Sequence, residues 1–325
     1  MRIHHLNCIS TCPLGGRLMD GRSRSILERG HLSCHCLLIE TDNELVLVDT
    51  GLGLRDVADP QGRLSRFFLT LVRPEFREEM TARRQIERLG FSAEDVRHII
   101  LTHLDFDHAG GLDDFPHAKV HMLAEEREYA QLQKTWLDRQ RFRPQQWSTH
   151  GNWLSYRTGL GEKWMGFANV RDLMDLPPEI LLVPLPGHTF GHTGVAIAQG
   201  DRWLLLAGDA YFYRGEMDLK SPCCTPGLRF YQWMMEKDRA ARFENQERLR
   251  ELKRRHGSRV ELFCSHDVEE FERLAQRSAR LPAEALVARR EARATQGTAR
   301  ATGRDPYSHG EVPMSQDAPD RSRHH

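Results

Sequence analysis

Residues 102–111 read Thr-His-Leu-Asp-Phe-Asp-His-Ala-Gly-Gly, which places four metal-ligand types, His103, Asp105, Asp107 and His108, within six consecutive positions. The run follows the apolar stretch Val96 to Leu101, which reads as a short buried strand. Extended backbone sends alternate side chains to one side, so His103 and Asp105 can meet one ion. Asp107 and His108 lie past a bend that Gly110 and Gly111 permit, and they can meet a second. A solvated acidic turn would not need two histidines interleaved with two carboxylates. Three further candidates close apolar strands in the same way: His188 in Pro-Gly-His-Thr-Phe-Gly-His, Asp209 at the end of Leu-Leu-Leu-Ala-Gly-Asp, and His266 in Cys-Ser-His-Asp. Strand ends are where open α/β sheets build their sites. Two divalent ions a few Å apart acidify a bridging water and polarise a carbonyl or phosphoryl oxygen, so the chemistry expected is hydrolysis by a metal-activated hydroxide.

The elements that must position these residues are legible in outline. Residues 33–48 read as two strands joined at Asp42-Asn43, and Asp49-Thr50-Gly51 turns the chain after the second. Residues 76–90 carry a helical run, Lys119 to Leu123 a strand, and Ala124 to Arg141 a charged helix ended by Pro144. Strand signals recur at Ile180 to Val183, Gly194 to Ala198, Trp203 to Leu206 and Val260 to Cys264, with a helix at about Tyr231 to His256. Residues 145–176 scatter Trp147, Trp153, Tyr156, Trp164 and Phe167 among Gly and Ser, an irregular aromatic insertion that either lines an apolar pocket beside the site or closes a small satellite core. The expected domain is therefore 1–281, followed by a polar, disordered tail over 282–325 that is poor in aromatic residues.

Asp49-Thr50-Gly51, His-x-Asp-x-Asp-His-x-Gly-Gly, Pro-Gly-His-x-x-Gly-His, Gly-Asp and Ser-His, in that order over about residues 30–270, resemble the metallo-β-lactamase superfamily. The shared run Asp-His-Ala-Gly-Gly is most similar to that of the N-acyl-homoserine lactonases and their neighbours. The resemblance implies an αββα sandwich, two mixed sheets face to face with helices outside, and a dinuclear centre at one edge. It gives His103, Asp105 and His188 to the first metal and Asp107, His108 and His266 to the second, with Asp209 bridging. Asp49 becomes the acid that orients ligands, and His192 a structural residue. Asp107 or Asp209 is expected to shuttle a proton to the leaving group. A tyrosine three residues past the bridging acid is expected in the lactonases; here that residue is Phe212, flanked by Tyr211 and Tyr213, either of which serves if the loop shifts and otherwise is a pocket wall or core aromatic. Asp105 stands where the usual pattern has His. If it coordinates, it adds negative charge and makes a harder oxygen site, moving preference from zinc toward manganese or iron; if it does not, a single metal binds tightly. Zinc is the ion expected first.

Composition narrows the rest. The 325 residues are 39% hydrophobic and 28% charged, with 46 basic and 46 acidic side chains. Such a neutral chain lacks the basic field of nucleic-acid binders, and no apolar run is long enough for a membrane span. The start lacks a secretory core and the seven cysteines are an odd set, so a cytoplasmic protein with reduced thiols is expected. A zinc held by Cys8, Cys12, Cys34 and Cys36 would need a Cys-x-Cys pair foreign to ordinary zinc-finger spacing. The partner expected is a small-molecule substrate, with a homodimer left open. A carboxylic ester, lactone first, is the expected substrate. A glyoxalase-II-like thioesterase and a noncatalytic or signalling protein of the same fold are the alternatives.

Overall fold

Leu37 and Ile39 face one way and Cys36 and Leu38 the other, because successive side chains of a strand point to opposite faces, and here both faces are apolar. A strand buried on both sides belongs in the middle of a layered protein. The computed structural model describes residues 1–42 and 44–280, so the expected tail over 282–325 lies outside the described residues. Two six-stranded sheets are present. The first runs in the order β1 (Arg2–Asn7), β2 (His35–Glu40), β3 (Leu45–Val48), β4 (Val96–Ile100), β5 (Lys119–Leu123), β6 (Trp153–Tyr156). Its β1–β3 pairs are antiparallel and its β3–β6 pairs parallel. The second sheet has the order β12 (Val260–Phe263), β11 (Arg202–Leu206), β10 (Thr193–Gln199), β9 (Ile180–Pro184), β8 (Phe167–Asp172), β7 (Glu162–Trp164), with only β11 and β12 parallel.

Three apolar clusters show how the layers stack. Leu37, Ile39, Val46 and Val48 meet Leu182, Val195, Leu204 and Leu206 between the sheets. Leu38, Leu47, Ile99 and Val120 turn outward to meet Ile86 and Phe142, and Leu205 and Leu262 turn outward to meet Leu249 and Leu252 of the helix Arg239–His256. The result is the αββα sandwich. Burying each such side chain contributes about 1.5–3 kcal/mol, against about 0–1 for an exposed ion pair, so these clusters rather than the many surface pairs hold the molecule together. No helix among the described residues is long and apolar enough to cross a membrane.

Residues 145–176 differ from the irregular insertion expected. They hold β6, which closes the edge of the first sheet, and β7 and β8, which close the edge of the second, so the segment is the crossover between sheets. Trp147 is buried under the first sheet with Trp153 packed on it, and Trp164 packs edge-on against Trp203 of β11. These aromatic rings belong to the sheets' own cores; none lines the cavity described below. The run expected as one helix to His256 is two, Pro226–Met235 and Arg239–His256, the second capped by the Asp238 carboxylate on the Ala241 N–H.

One edge of the sandwich collects the chemistry. Asp49 follows β3, His103 follows β4, Asp209 follows β11 and His266 follows β12. Thr193 donates its backbone N–H to Thr102 (3.0 Å) and His35 to Ser265 (2.9 Å), joining the two sheets there.

Candidate metal centre

The seven ligand-type residues singled out from the sequence come together as three overlapping groups: His103, Asp105 and His188; His103, His108 and Asp209; Asp107, His108 and His266. All are buried. Backbone and neighbours aim each imidazole. His108 Nδ1 is 2.9 Å from Asp49 Oδ2 and donates to it, which leaves Nε2 with a lone pair facing inward. Asp49 also accepts from the Thr102 N–H and hydroxyl, both at 2.8 Å, so this residue sets the ring without joining the cluster. His266 Nδ1 donates to the Ser33 carbonyl at 2.7 Å, again freeing Nε2. His192 donates through Nδ1 to the Leu185 carbonyl and accepts the Asp209 N–H on Nε2, each at 2.9 Å, so it positions Asp209 and has no nitrogen left for a metal. Gly208 completes that contact: its φ is +56°, and a Cβ there would lie 2.7 Å from the His192 ring.

The interior of the cluster has the marks of a cation site. His103 Nε2, His108 Nε2 and Asp209 Oδ1 are buried without hydrogen-bond partners, a state that costs about 1–3 kcal/mol per group unless something else satisfies it. His103 Nε2 lies 3.4 Å from Asp105 Oδ2 and 3.7 Å from Asp209 Oδ2, and His108 Nε2 lies 3.4 Å from Asp209 Oδ1. Ligand atoms about 2.1 Å from a shared tetrahedral ion stand about 3.4 Å apart, so these residues fit a divalent metal better than they fit one another. Without an ion the charges are held unevenly. Burial would raise the Asp209 carboxyl, but His266 and His108 hold it well below the usual carboxylate range, and they are themselves raised by it. Asp107 has less support, and burial pushes its carboxyl up.

Three contributors escaped the sequence reading. Arg141, fully buried, grips Asp105 with Nε to Oδ1 at 2.6 Å and Nη2 to Oδ2 at 2.5 Å. Burial opposes the charge on Asp105, yet the guanidinium and the two flanking histidines hold the carboxyl well below its ordinary range. The negative charge expected to harden the first position is thus cancelled by a neighbour, a correction to the preference for manganese or iron argued from the substitution alone. Glu126, at the start of the helix Ala124–Leu132, accepts the N–H groups of Leu104 (3.0 Å) and Gly191 (3.2 Å) and so ties together the two ligand loops. Tyr231 is the third; burial and the carboxylates of Asp107 and Asp105 keep its phenol protonated.

The flanking tyrosines lie in apolar packing rather than at the cluster. Tyr211 is buried in the second sheet's outer core, its hydroxyl donating to Glu270 at 3.1 Å. Tyr213 packs with Leu32 and Leu228 under the Arg214 guanidinium. Phe212 is the ring that faces the cluster, stacked on His266 with centroids 5.0 Å apart and 5.6 Å from His188. Beside it opens a cavity of about 280 Å³ lined by Leu14, Met19, Leu32, Val72, Tyr231 and Met234, and touching Asp107 and His266.

Known proteins share this fold. The metallo-beta-lactamase superfamily pattern matches residues 29–262. A probable metallo-hydrolase of Mycobacterium tuberculosis is 41% identical over 269 residues, 82% of this chain and 80% of its own. An N-acyl homoserine lactonase of Bacillus cereus is 27% identical over 65% of this chain and 78% of its own. Among solved structures, an N-acyl homoserine lactone hydrolase with N-hexanoyl-L-homoserine bound at its catalytic metal centre superposes with a TM-score of 0.62 at 22% identity, covering 83% of this chain and 95% of that one. A dizinc quorum-quenching lactonase superposes at 0.54 and 18% identity, over 81% and 86%. With its sandwich, its ligand-bearing edge and a family match over most of its length, the chain belongs to the metallo-β-lactamase superfamily and is one of its metallo-hydrolases.

Proposed function

We propose that the chain hydrolyses carboxylic esters, lactones first, at a divalent centre built by His103, Asp107, His108, His188, Asp209 and His266, with Asp105 beside them and zinc the first choice of ion. The observation that carries this is the cavity: it touches Asp107 and His266, its walls are mostly Leu, Met, Val and aromatic with the hydroxyls of Thr11 and Thr70, and among the described residues no Lys or Arg lines it. Such a mainly apolar pocket suits an acyl group better than a charged phosphate. The similarity to lactonases, whose product is an acylated homoserine, points the same way.

When bound, divalent ions supply a water acidified toward neutral pH and a Lewis acid for a carbonyl oxygen. The chain's own residues supply the rest. Asp49 and Ser33 fix the rings of His108 and His266, and Leu185 fixes His192, which in turn holds Asp209, so the centre is assembled before substrate arrives. Asp107, at the cavity wall, is placed to carry a proton from the attacking water to the departing alkoxide. Tyr231 offers the wall a protonated phenol, which neither Tyr211 nor Tyr213 does.

The test is a substrate panel for the purified chain: N-acyl lactones of increasing acyl length, an S-acyl thioester and an aryl phosphodiester. Higher kcat/KM for lactones, rising with acyl length until the cavity is filled, is expected. A preference for the thioester favours the thioesterase reading, and a preference for the phosphodiester overturns both.

A further inference from the structure

The two halves of the cluster are not equivalent, and Arg141 makes the difference. On the side of Asp107, His108, His266 and Asp209 there are two carboxylates, and His108 Nε2 and Asp209 Oδ1 have no partner, as is also true of His103 Nε2 and His188 Nδ1 on the other side. On the side of His103, Asp105 and His188, both oxygens of Asp105 are engaged by one guanidinium. The same Nη2 lies 2.9 Å from His188 Nε2, which is also 3.0 Å from Asp105 Oδ2. Either state of that nitrogen is engaged: protonated, it donates to Asp105; unprotonated, it accepts from Arg141.

Arg141 is built into this place. It is fully buried, its Nη1 donates to the Met235 carbonyl at 2.6 Å, and the next residue, Phe142, forms an antiparallel bridge with Asp105 itself. The arginine thus arrives at the carboxylate as a backbone neighbour with three of its nitrogens bonded, and it cannot give up its proton to make way for another cation.

The geometry points to Arg141 as the resident cation of the first position: the chain holds one divalent ion tightly, on the Asp107, His108, His266 and Asp209 side, and takes a second only weakly. This rests on the hydrolase reading above and gives that site a division of labour, one ion and one fixed guanidinium. Arg141 is a positioning residue in it, holding Asp105 and His188 in register.

The test is metal stoichiometry. Zinc is titrated into the chelator-stripped full chain and followed by calorimetry, with elemental analysis after dialysis. One tight equivalent is expected, with any second about 100-fold weaker. Arg141→Gln should bring the second ion up toward the first. Because that change leaves Asp105 buried and unpaired, Asp105→His/Arg141→Gln carries the same expectation with no stranded charge. Two equally tight ions in the unaltered chain, or a single ion in both variants, would overturn the proposal. Failure of a singly loaded chain to cleave any ester would count against the hydrolase reading and leave the metal count standing.

Discussion

At the scale of the residue, the centre depends on side chains that never touch a substrate. Asp49 holds a non-glycine φ of +54° while it fixes the His108 tautomer and accepts two bonds from Thr102. Asp49→Asn keeps the shape and tolerates that backbone, but replaces one acceptor with a donor facing donors. Zinc affinity is expected to fall by about 10–100-fold, read from competition with a chromogenic chelator, while the fold survives by circular dichroism. An unchanged affinity would make Asp49 a purely structural residue. The seven clustered side chains were legible in the sequence because four of them fall within six consecutive positions and the others follow apolar strands. Arg141 was not. It lies 36 residues from Asp105, in a helix with Arg139 close by, and only the Asp105–Phe142 bridge selects it. The lone signal was Asp105 itself, a buried charge lacking a partner in its own segment.

At the scale of the element, loops are held by groups that water rarely reaches. Glu126 binds the loops after β4 and β9 through two backbone N–H groups, and burial pushes its carboxyl up to about 7 despite hydrogen bonds that favour its charged form. The unfolded chain releases this proton near the ordinary value of 4.5. Between the two values the folded state holds a proton that the unfolded state has lost, so this group's contribution to stability falls as pH rises through that window and levels off above it. Relative to Glu126→Gln, the unaltered chain should lose about 3 kcal/mol between pH 4.5 and pH 7.5, measured by urea unfolding of both at each pH. Parallel curves would remove the carboxyl from this role. Strand elements with strong β-branched or leucine patterns were readable. β6, β7 and β8 were not, since each carries few β-branched residues and lies at or beside an open sheet edge, where its pattern is only half apolar. β1 was hidden by His4 and His5, polar residues in a strand whose partner β2 supplies the apolar side.

At the scale of the whole molecule, the sandwich is a scaffold whose two sheets each bring strand ends to one edge, so that ligands more than 160 residues apart in sequence meet in one buried cluster. The fold was readable because five short motifs in fixed order constrain it more tightly than periodicity does. The proposed substrate class rests on a different surface, the cavity whose walls come from the segment around Thr11 to Leu32, from the Thr70–Val72 stretch and from the helix Pro226–Met235. None of these carries a motif, which is why the pocket was expected elsewhere. The central claim, that the cluster is a hydrolytic metal centre, is tested by following acyl-lactone ring opening with a pH indicator in chelator-stripped protein before and after stoichiometric zinc is returned. Ring opening should fall to background on stripping and recover as zinc is added. Undiminished turnover in the stripped protein would contradict the account.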